Sequence, residues 1–322
     1  MRRLAACAAC ALLLAGCGQA SAPAPHHPAA RNKIKVTALA GVHGFTLSHL
    51  ADLPVATDRL TAVADAGSVY IFGGLQSSGS TTAIYRLHGS TVSAAGELPL
   101  PLHDLASAAA GGRLFVMGGG QVASSPRIFA YSSASGSVTA LARFPTPLSD
   151  LAAATIGDNV YVFGGFTGSV FSQAIYRISP QGIVTRAGTL PLGLRYTGAA
   201  AFQGSVYLFG GLGTSGYQSA IYRFTPSQGV ARVGSLPVAV AAPLVAPARD
   251  GILVLGGESA VNQDVASVYF FTPKGGLRPI GSLPSPLGYG AIAPLGQDRY
   301  AVIGGEDGSQ YATGIYALKL TR

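Results

Sequence analysis

The sequence has no cysteine after residue 17 and few charged residues, and these two shortages exclude several classes of protein. Its three cysteines are Cys7, Cys10 and Cys17, so the remaining chain has no thiol for a disulfide, a thiolate metal site or a cysteine nucleophile. Charged residues make up only 11% of the chain, and no run of five basic residues occurs, although the formal net charge is +8. We therefore expect no nucleic-acid partner.

The chain also has no second long apolar run and little that suits a helix. The best candidate for a membrane span, residues 238–248, is interrupted by Pro243 and Pro247, so no transmembrane helix is predicted. With 48% apolar residues the chain can build a core, while 44 glycines and 20 prolines oppose a helical bundle. Many short strands joined by turns are predicted instead.

The first 33 residues indicate export. Arg2 and Arg3 precede a short apolar stretch, as in a secretory signal. The segment Leu14-Ala15-Gly16-Cys17 that follows resembles the cleavage motif of bacterial lipoproteins. This resemblance implies a signal peptide over 1–16, lipid attachment at Cys17, an Ala/Pro-rich tether over 17–33 and a folded domain over 34–322. The protein is then expected on the extracytoplasmic face of the membrane, held by lipid alone; an ordinary secretory signal with an incidental cysteine is the alternative.

Two markers recur with a period of about 46 residues. The first is a glycine doublet that closes a short apolar run. The doublets are Gly73-Gly74, Gly118-Gly119, Gly164-Gly165, Gly210-Gly211, Gly256-Gly257 and Gly304-Gly305. The second is an apolar residue followed by proline. These pairs are Leu53-Pro54, Leu98-Pro99, Phe144-Pro145, Leu190-Pro191, Leu236-Pro237 and Leu283-Pro284. Each unit has the size of a four-stranded propeller blade.

These markers resemble kelch repeats, as in the central domain of galactose oxidase. The resemblance implies an all-β fold: a six-bladed β-propeller of four-stranded antiparallel blades. The sequence departs from the kelch pattern in having no tryptophan. The last unit ends one strand short, and residues 44–50 match the outer strands of interior units. An N-terminal strand is therefore predicted to close the ring, since this pairing removes an open sheet edge.

In kelch propellers the residues that start each inner strand, and those that follow each doublet, face the mouth of the central channel. In this chain the first positions lie 14 residues before the doublets. They are Arg59, Asp104, Asp150, Tyr196, Ala242 and Gly290, with Tyr289 a near neighbour of the last. The second set begins with Leu75, Gly120, Phe166, Leu212, Glu258 and Glu306. The predicted ligand face is Arg59, His103, Asp104, Asp150, Tyr196, Glu258, Tyr289 and Glu306.

The leading functional hypothesis is a monomeric, non-catalytic interaction module that binds a protein or a glycan at the channel mouth. Tyrosines and glutamates there suit a sugar-like or amine ligand. One alternative is a carbohydrate-modifying enzyme similar to bacterial N-acetylneuraminate epimerase, with Glu258 and Glu306 as acid/base candidates. A second alternative is a structural envelope protein. No cofactor and no metal are predicted, although His103, Asp104 and Asp150 could collect a cation. The copper chemistry of galactose oxidase is excluded because it needs a cysteine.

Overall fold

The computed structural model describes residues 41–308 and 310–322, which form six antiparallel sheets of four strands. The predicted signal peptide, Cys17, the tether and the first seven residues of the predicted domain lie outside the described residues. Within the described part the chain forms strands and turns without a helix, so it holds no helical segment long and apolar enough to span a bilayer. The predicted all-β, six-bladed propeller is confirmed.

Each blade is described from its inner strand to its outer strand. Blade 1 contains Thr61–Asp65, Ser68–Phe72, Ala83–His88 and Thr91–Glu97. Blade 2 contains His103–Ala110, Arg113–Gly120, Ser125–Tyr131 and Val138–Leu148. Blade 3 contains Ala152–Ile156, Asn159–Phe163, Ala174–Ile178 and Val184–Thr189. Blade 4 contains Gly198–Phe202, Ser205–Phe209, Ala220–Thr225 and Gly229–Ser235.

Blades 5 and 6 complete the set. Blade 5 contains Leu244–Ala248, Gly251–Leu255, Ser267–Thr272 and Gly276–Ser282. Blade 6 contains Ala291–Gly296, Arg299–Ile303, Gly314–Thr321 and the N-terminal strand Gly44–Asp52. Four blades also carry a small hairpin between their second and third strands. The hairpins pair Leu75–Gln76 with Gly79–Ser80, Leu212–Gly213 with Gly216–Tyr217, Glu258–Ala260 with Gln263–Asp264, and Glu306–Asp307 with Gln310–Tyr311.

The N-terminal strand closes the ring, as predicted. It runs antiparallel to the C-terminal strand, with Gly44 opposite Thr321 and Asp52 opposite Gly314. The two ends of the described chain thus share one blade. This pairing satisfies the backbone groups that the last blade would otherwise expose along its outer edge.

The core is divided into six apolar clusters, each lying between two neighbouring blades. One of them joins blade 6 to blade 1, with Ile303 and Ile315 packed against Val69 and Ile71. The second strand of each blade is buried on both faces, because both neighbours cover it. This explains the repeated apolar runs that precede the glycine doublets.

The glycine doublets join consecutive blades. In blade 1, Gly73 and Gly74 have φ angles of 56° and 112°, a region that glycine enters without steric cost. The backbone N–H of Gly74 donates to the carbonyl of Leu102, at the start of blade 2, over 2.8 Å. A Cβ atom at Gly73 would collide with that same carbonyl. The doublet therefore permits a close approach between blades that a side chain would prevent.

Arg322 joins two turns at the end of the propeller opposite the doublets. Its guanidinium donates to Asp298 over 2.7 and 2.8 Å and to Asp250 over 2.7 and 3.0 Å. These hydrogen bonds lower the pKa of both carboxyls. Their contribution to stability is therefore complete above the unfolded-state pKa near 4 and is lost as pH falls through the lower folded-state values.

We expect Arg322→Gln to lower the free energy of unfolding by about 1–2 kcal/mol at pH 7. The deficit should shrink at pH 3, because the aspartates are then losing their charge. Denaturant unfolding at both pH values measures it. Arg127→Gln, at an exposed position on blade 2, is the control. An equal loss in both variants, or a deficit independent of pH, would contradict the role of this cluster.

Candidate functional site

Six equivalent residues, one from each blade, form a ring at one end of the central channel, and we call it the mouth ring. All have left-handed backbone conformations, with φ between 49° and 58°. They are Arg59, Asp104, Asp150, Tyr196, Ala242 and Tyr289. Five backbone hydrogen bonds of 2.7–3.0 Å connect them. The N–H groups of Asp104, Asp150, Tyr196 and Ala242 each donate to the carbonyl of the ring residue on the blade before, and the N–H of Arg59 donates to the carbonyl of Tyr289. These five bonds link all six residues, which lie far apart in sequence.

The sixth member is Tyr289, whereas counting 14 residues back from the doublet leads to Gly290. The difference arises from one extra residue in the first strand of blade 6. The register shifts between Pro294 and Gly296, so Leu295 forms a bulge in that strand. The extra residue lengthens the path from the ring to Gly304 by one position. The near neighbour named in the sequence analysis is therefore the ring residue.

The residue before each ring position lies beside the residue that follows a doublet. Backbone bridges of this kind pair Asp58 with Leu75, Ser149 with Phe166, Arg195 with Leu212, Ala241 with Glu258 and Gly288 with Glu306. In blade 2, His103 pairs with Gly120 in the same way. The two predicted sets of mouth residues are therefore adjacent in space. The ligand-binding role of these residues stays a prediction.

One guanidinium faces three carboxylates on blades 1, 2 and 6. Arg59 Nη1 donates to Asp58 Oδ2 over 2.8 Å, and its Nε lies 3.7 Å from Asp104 Oδ1. Its Nη2 lies 3.9 Å from Glu306 Oε1. The same guanidinium stacks 4.4 Å above the ring of Tyr289. Arg59 is therefore fixed in place by both charge and aromatic contact.

A second guanidinium connects blades 3 and 4. Arg195 Nε lies 2.7 Å from Asp150 Oδ2, and its Nη2 donates to the hydroxyl of Tyr196 over 2.8 Å. That hydroxyl in turn donates to Asp104 Oδ2 over 3.0 Å. The rings of Tyr196 and Tyr289 meet edge to face with centroids 5.0 Å apart. Aromatic and charged groups thus cross the mouth as one network.

Glu258 has both carboxylate oxygens occupied. Its Oε2 accepts hydrogen bonds from the hydroxyls of Tyr217 and Tyr289 over 2.8 and 2.7 Å. Its Oε1 accepts from the backbone N–H of Asn262 over 3.0 Å. Glu258 as a whole is only 8% exposed. These contacts hold the hydroxyl groups of Tyr217 and Tyr289 at one carboxylate oxygen of Glu258.

Burial alters the protonation of several mouth groups. Desolvation raises the pKa of Asp58 to about 7 despite the charge of Arg59. It also raises the pKa values of Asp104 and Asp150, whose carboxyls interact, and the negative charge of Asp104 raises that of Asp150 further. Burial and the nearby Arg59 lower the pKa of His103. Carboxyl groups at the mouth therefore hold protons at pH values where ordinary carboxyls are ionised.

Three cavities lie near these residues. The mouth ring surrounds one of about 120 Å³, which shares Leu60, Leu105 and Leu151 with another of about 190 Å³ along the inner strands. A third, of about 310 Å³, lies between blades 5 and 6 and is lined by residues that include Glu306, Tyr311 and Tyr316. Among residues 41–308 and 310–322, no group of three or more acidic, histidine or cysteine side chains is arranged to hold a metal ion. His103 instead contacts Ser80 Oγ through Nδ1 over 2.8 Å.

Three participants at the mouth were not predicted from the sequence: Asp58, Arg195 and Tyr217. Asp58 and Arg195 immediately precede ring residues. A strand-by-strand alignment of the six units would have placed both of them at the mouth. Tyr217 lies in a hairpin beyond a doublet, and its contact with Glu258 joins blade 4 to blade 5. No periodic signal marks that position.

The comparisons with known proteins agree with this architecture. Residues 147–182 match the kelch motif. The chain carries a kelch motif within a six-bladed β-propeller. A solved structure described as "Structure of YjhT" superposes with a TM-score of 0.75 at 18% sequence identity, covering 85% of this chain and 99% of that chain. Similarity at this identity shows the fold alone. No curated protein matches the sequence significantly.

The raised pKa of Asp58 predicts a pH-dependent stability. A buried carboxyl whose pKa is higher in the folded state binds its proton more tightly there, so stability falls as pH rises from about 4 to about 7. We expect the free energy of unfolding to be lower by roughly 2 kcal/mol at pH 8 than at pH 5 through this group. Asp58→Asn should remove this part of the pH dependence, as measured by urea unfolding across this range, while the parts from Asp104 and Asp150 remain. Identical profiles for both proteins would rule out the effect.

Proposed function

We propose that this chain is an interaction module that uses the mouth ring to bind a protein or carbohydrate ligand. The supporting observation is the backbone conformation of the ring. A non-glycine residue in the left-handed region costs about 1–2 kcal/mol, yet all six ring positions carry side chains there. Glycine would avoid that cost. The chain keeps this backbone strain at all six equivalent positions, and the side chains there are of four types. This supports a role for those side chains in recognition.

The scaffold supports the same proposal. The blades repeat their buried strands and doublets, whereas the mouth ring carries arginine, aspartate, tyrosine and alanine. A rigid repeat framework that presents individual residues at one end is a common arrangement for binding surfaces.

A capture experiment tests this proposal. The domain 34–322 is screened against a glycan array and against envelope extracts, and the bound species are identified. Arg59→Ala should abolish capture of the specific ligand, whereas Arg127→Ala on the outer surface of blade 2 should retain it. If both variants still capture the ligand, the mouth ring is not part of the binding site.

We further propose that the domain is exported and held on the extracytoplasmic side of a bacterial membrane by lipid on Cys17. The supporting feature is the spacing of Leu14, Ala15, Gly16 and Cys17 after a short apolar stretch. We expect the full chain expressed in bacteria to incorporate labelled palmitate and to enter the detergent phase of a phase-partition assay. Cys17→Ser should lose both properties, whereas Cys10→Ser should keep them. Labelling of the Cys17 variant would refute lipid attachment at this residue.

A carbohydrate-modifying enzyme is the second candidate, and the cavity between blades 5 and 6 favours it. Its volume of about 310 Å³ lies within the range of small-molecule sites, about 300–1,000 Å³. Burial raises the pKa of Glu306, as suits a general acid, and Tyr311 and Tyr316 offer aromatic surfaces. Sugars incubated with the protein should then be altered, with a rate that falls about 10²–10⁴-fold in Glu306→Gln. Glu258→Gln tests the other candidate, and Asp158→Asn is the control. Capture without turnover would favour the binding module.

A further inference from the structure

Blades 3 and 4 carry positive charge on their outer surface and no negative charge there. Residues 159–249 contain six arginines, no lysine and no acidic residue. Arg195 lies beside Asp150 at the mouth, and Arg249 lies in an end turn of blade 5. The other four lie on the third and outer strands of blades 3 and 4, and we call them the arginine wall. They are Arg177, Arg186, Arg223 and Arg232. Charge of one sign is therefore concentrated on one side of the propeller.

The two blades present the wall arginines in the same arrangement. One lies on the third strand and one on the outer strand of each blade, and every one is directly opposite a buried tyrosine. The pairs are Arg177 with Tyr161, Arg186 with Tyr176, Arg223 with Tyr207, and Arg232 with Tyr222. Residues that are directly opposite in antiparallel strands project from the same face of the sheet. The tyrosines therefore show which groove between blades each arginine faces.

Two wall arginines face the groove between blades 3 and 4, which we call the central groove. Tyr161 of blade 3 and Tyr222 of blade 4 both belong to the apolar cluster between these blades. Arg177 and Arg232, which lie on the same faces as these tyrosines, thus border the groove from opposite sides. Two positive charges from different blades therefore adjoin one groove.

The remaining wall arginines face the grooves on either side. Tyr176 packs in the cluster between blades 2 and 3, so Arg186 faces that groove. Tyr207 packs in the cluster between blades 4 and 5, so Arg223 faces the next one. Consecutive blades of a six-bladed ring are rotated by roughly 60° about the axis. The wall therefore curves around one side of the propeller across three successive grooves.

The wall guanidinium groups have few partners of their own. None of the four forms an ion pair with a carboxylate within residues 41–308 and 310–322. In the central groove, Arg177 donates no side-chain hydrogen bond to the described chain, and Arg232 donates one of 3.5 Å, to the carbonyl of Gly234. Both residues are exposed. Their N–H groups are therefore available to an external acceptor.

The chemistry of the wall favours oxyanions. A guanidinium donates two parallel hydrogen bonds to two oxygens of one sulfate, phosphate or carboxylate group, and a pair of arginines can hold such a group between them. Neutral polar groups lie beside the charges, since Thr189 Oγ1 accepts from Arg186 over 3.0 Å and Gln228 Oε1 accepts from Arg223 over 3.4 Å. Hydroxyl and amide groups suit the hydroxyls of a sugar. The wall therefore combines sites for anionic groups with sites for sugar hydroxyls.

The shape of the wall favours a flexible linear partner. A flat bilayer meets one groove of a convex surface at a time, whereas a polymer chain can follow all three. The wall arginines recur at equivalent positions in successive blades, Arg177 with Arg223 and Arg186 with Arg232. A polymer with an anionic group on each repeat can meet such a pattern in many registers. An anionic polysaccharide combines these properties with the hydroxyl groups.

We propose that the arginine wall binds an anionic polysaccharide, with one anionic group held between Arg177 and Arg232 in the central groove and the chain continuing toward Arg186 and Arg223. This surface is separate from the mouth ring, and the inference does not depend on the ligand of the mouth. The positive charge of the wall also attracts such a polymer at a distance, most strongly at low ionic strength.

Dextran sulfate and unsulfated dextran of equal chain length test the proposal. The protein is the full chain carrying Cys17→Ser, so that lipid on Cys17 cannot contribute. At low salt, dextran sulfate should bind at least about tenfold more tightly than dextran. The difference should shrink at high salt, because salt screens exposed charges. Isothermal titration calorimetry measures the affinities.

Paired substitutions in this protein locate the binding. Arg177→Gln with Arg232→Gln should weaken dextran sulfate binding at least about fivefold. Lys274→Gln with Arg299→Gln removes the same charge from exposed positions at the far ends of blades 5 and 6 and should leave the affinity within about twofold. Arg177→Lys with Arg232→Lys keeps the charge and loses the paired hydrogen bonds, so its affinity should lie between those of the parent protein and the first glutamine variant. Thermal melting verifies that all three variants are folded.

Four results would overturn the inference. Equal binding of dextran sulfate and dextran would exclude an anionic ligand, and equal losses in the two glutamine variants would show attraction by net charge without a site. Polyglutamate that binds as tightly as dextran sulfate, with the same loss in Arg177→Gln with Arg232→Gln, would assign the wall to an acidic polypeptide. Phosphatidylglycerol vesicles that bind with this same loss would assign it to a bilayer. Ligand capture through the mouth is tested separately by Arg59→Ala, so either proposal can fail without the other.

Discussion

A chain that begins at residue 50 should be less stable than the full chain by more than about 5 kcal/mol, because it lacks most of the strand that closes the ring. Phe45 and Leu47 pack against the cluster between blades 5 and 6, which contains Leu318 and Leu320. Burial of each large apolar side chain contributes about 1.5–3 kcal/mol when complete. Removal of the strand also exposes an unpaired edge along Gly314–Thr321. Denaturant and thermal unfolding measure the loss.

A chain that begins at residue 34 is the matched control for this truncation. It keeps the whole N-terminal strand, Gly44–Asp52, and should melt at the temperature of the full chain. Equal melting temperatures for the chains that begin at residues 34 and 50 would show that blade 6 does not depend on this strand. Such a result would remove ring closure as a source of stability.

Gly164→Ala should lower the free energy of unfolding by about 4 kcal/mol. The glycine has a φ of 63°, a conformation that costs a residue with a Cβ about 1–2 kcal/mol. The added methyl would also collide with the carbonyl oxygen of Leu194 in the next segment of chain. That carbonyl accepts a 2.7 Å hydrogen bond from the N–H of Gly165. The collision therefore displaces a contact between blades as well as straining one residue.

Gly157→Ala separates the two causes of this loss. Gly157 has a similar φ of 58°, but a Cβ there meets no atom within 4 Å. The substitution should therefore cost only the conformational part, about 1–2 kcal/mol. Urea unfolding of both variants gives the difference. If both glycines tolerate alanine equally, close approach between blades is not the reason for the doublets.

The period of the sequence predicted the architecture well. Each doublet and each proline pair marks a sharp backbone turn or the end of a strand. Such features depend mainly on residues nearby in the sequence. The second strands also reveal their burial through continuous apolar runs. The match of residues 44–50 to interior outer strands predicted the closure, because a strand needs a partner wherever a ring is open.

The predicted mouth residues lie together, yet their contacts could not be read from sequence. The hydrogen bond from Tyr196 to Asp104 joins residues 92 positions apart, and Arg59 reaches Glu306 across the junction of the first and last blades. The shift from Gly290 to Tyr289 depends on a bulge at Leu295 in the first strand of blade 6, which leaves that residue unpaired.

By itself, the sequence determined the number of blades, the strand pattern within them and the segment that closes the ring. Only the tertiary structure decided which side chains meet at the mouth and which carboxyls keep their protons. The physical reason is that turn and burial signals recur locally in every unit. Desolvation and charge pairing instead depend on distances across the channel between residues from different blades.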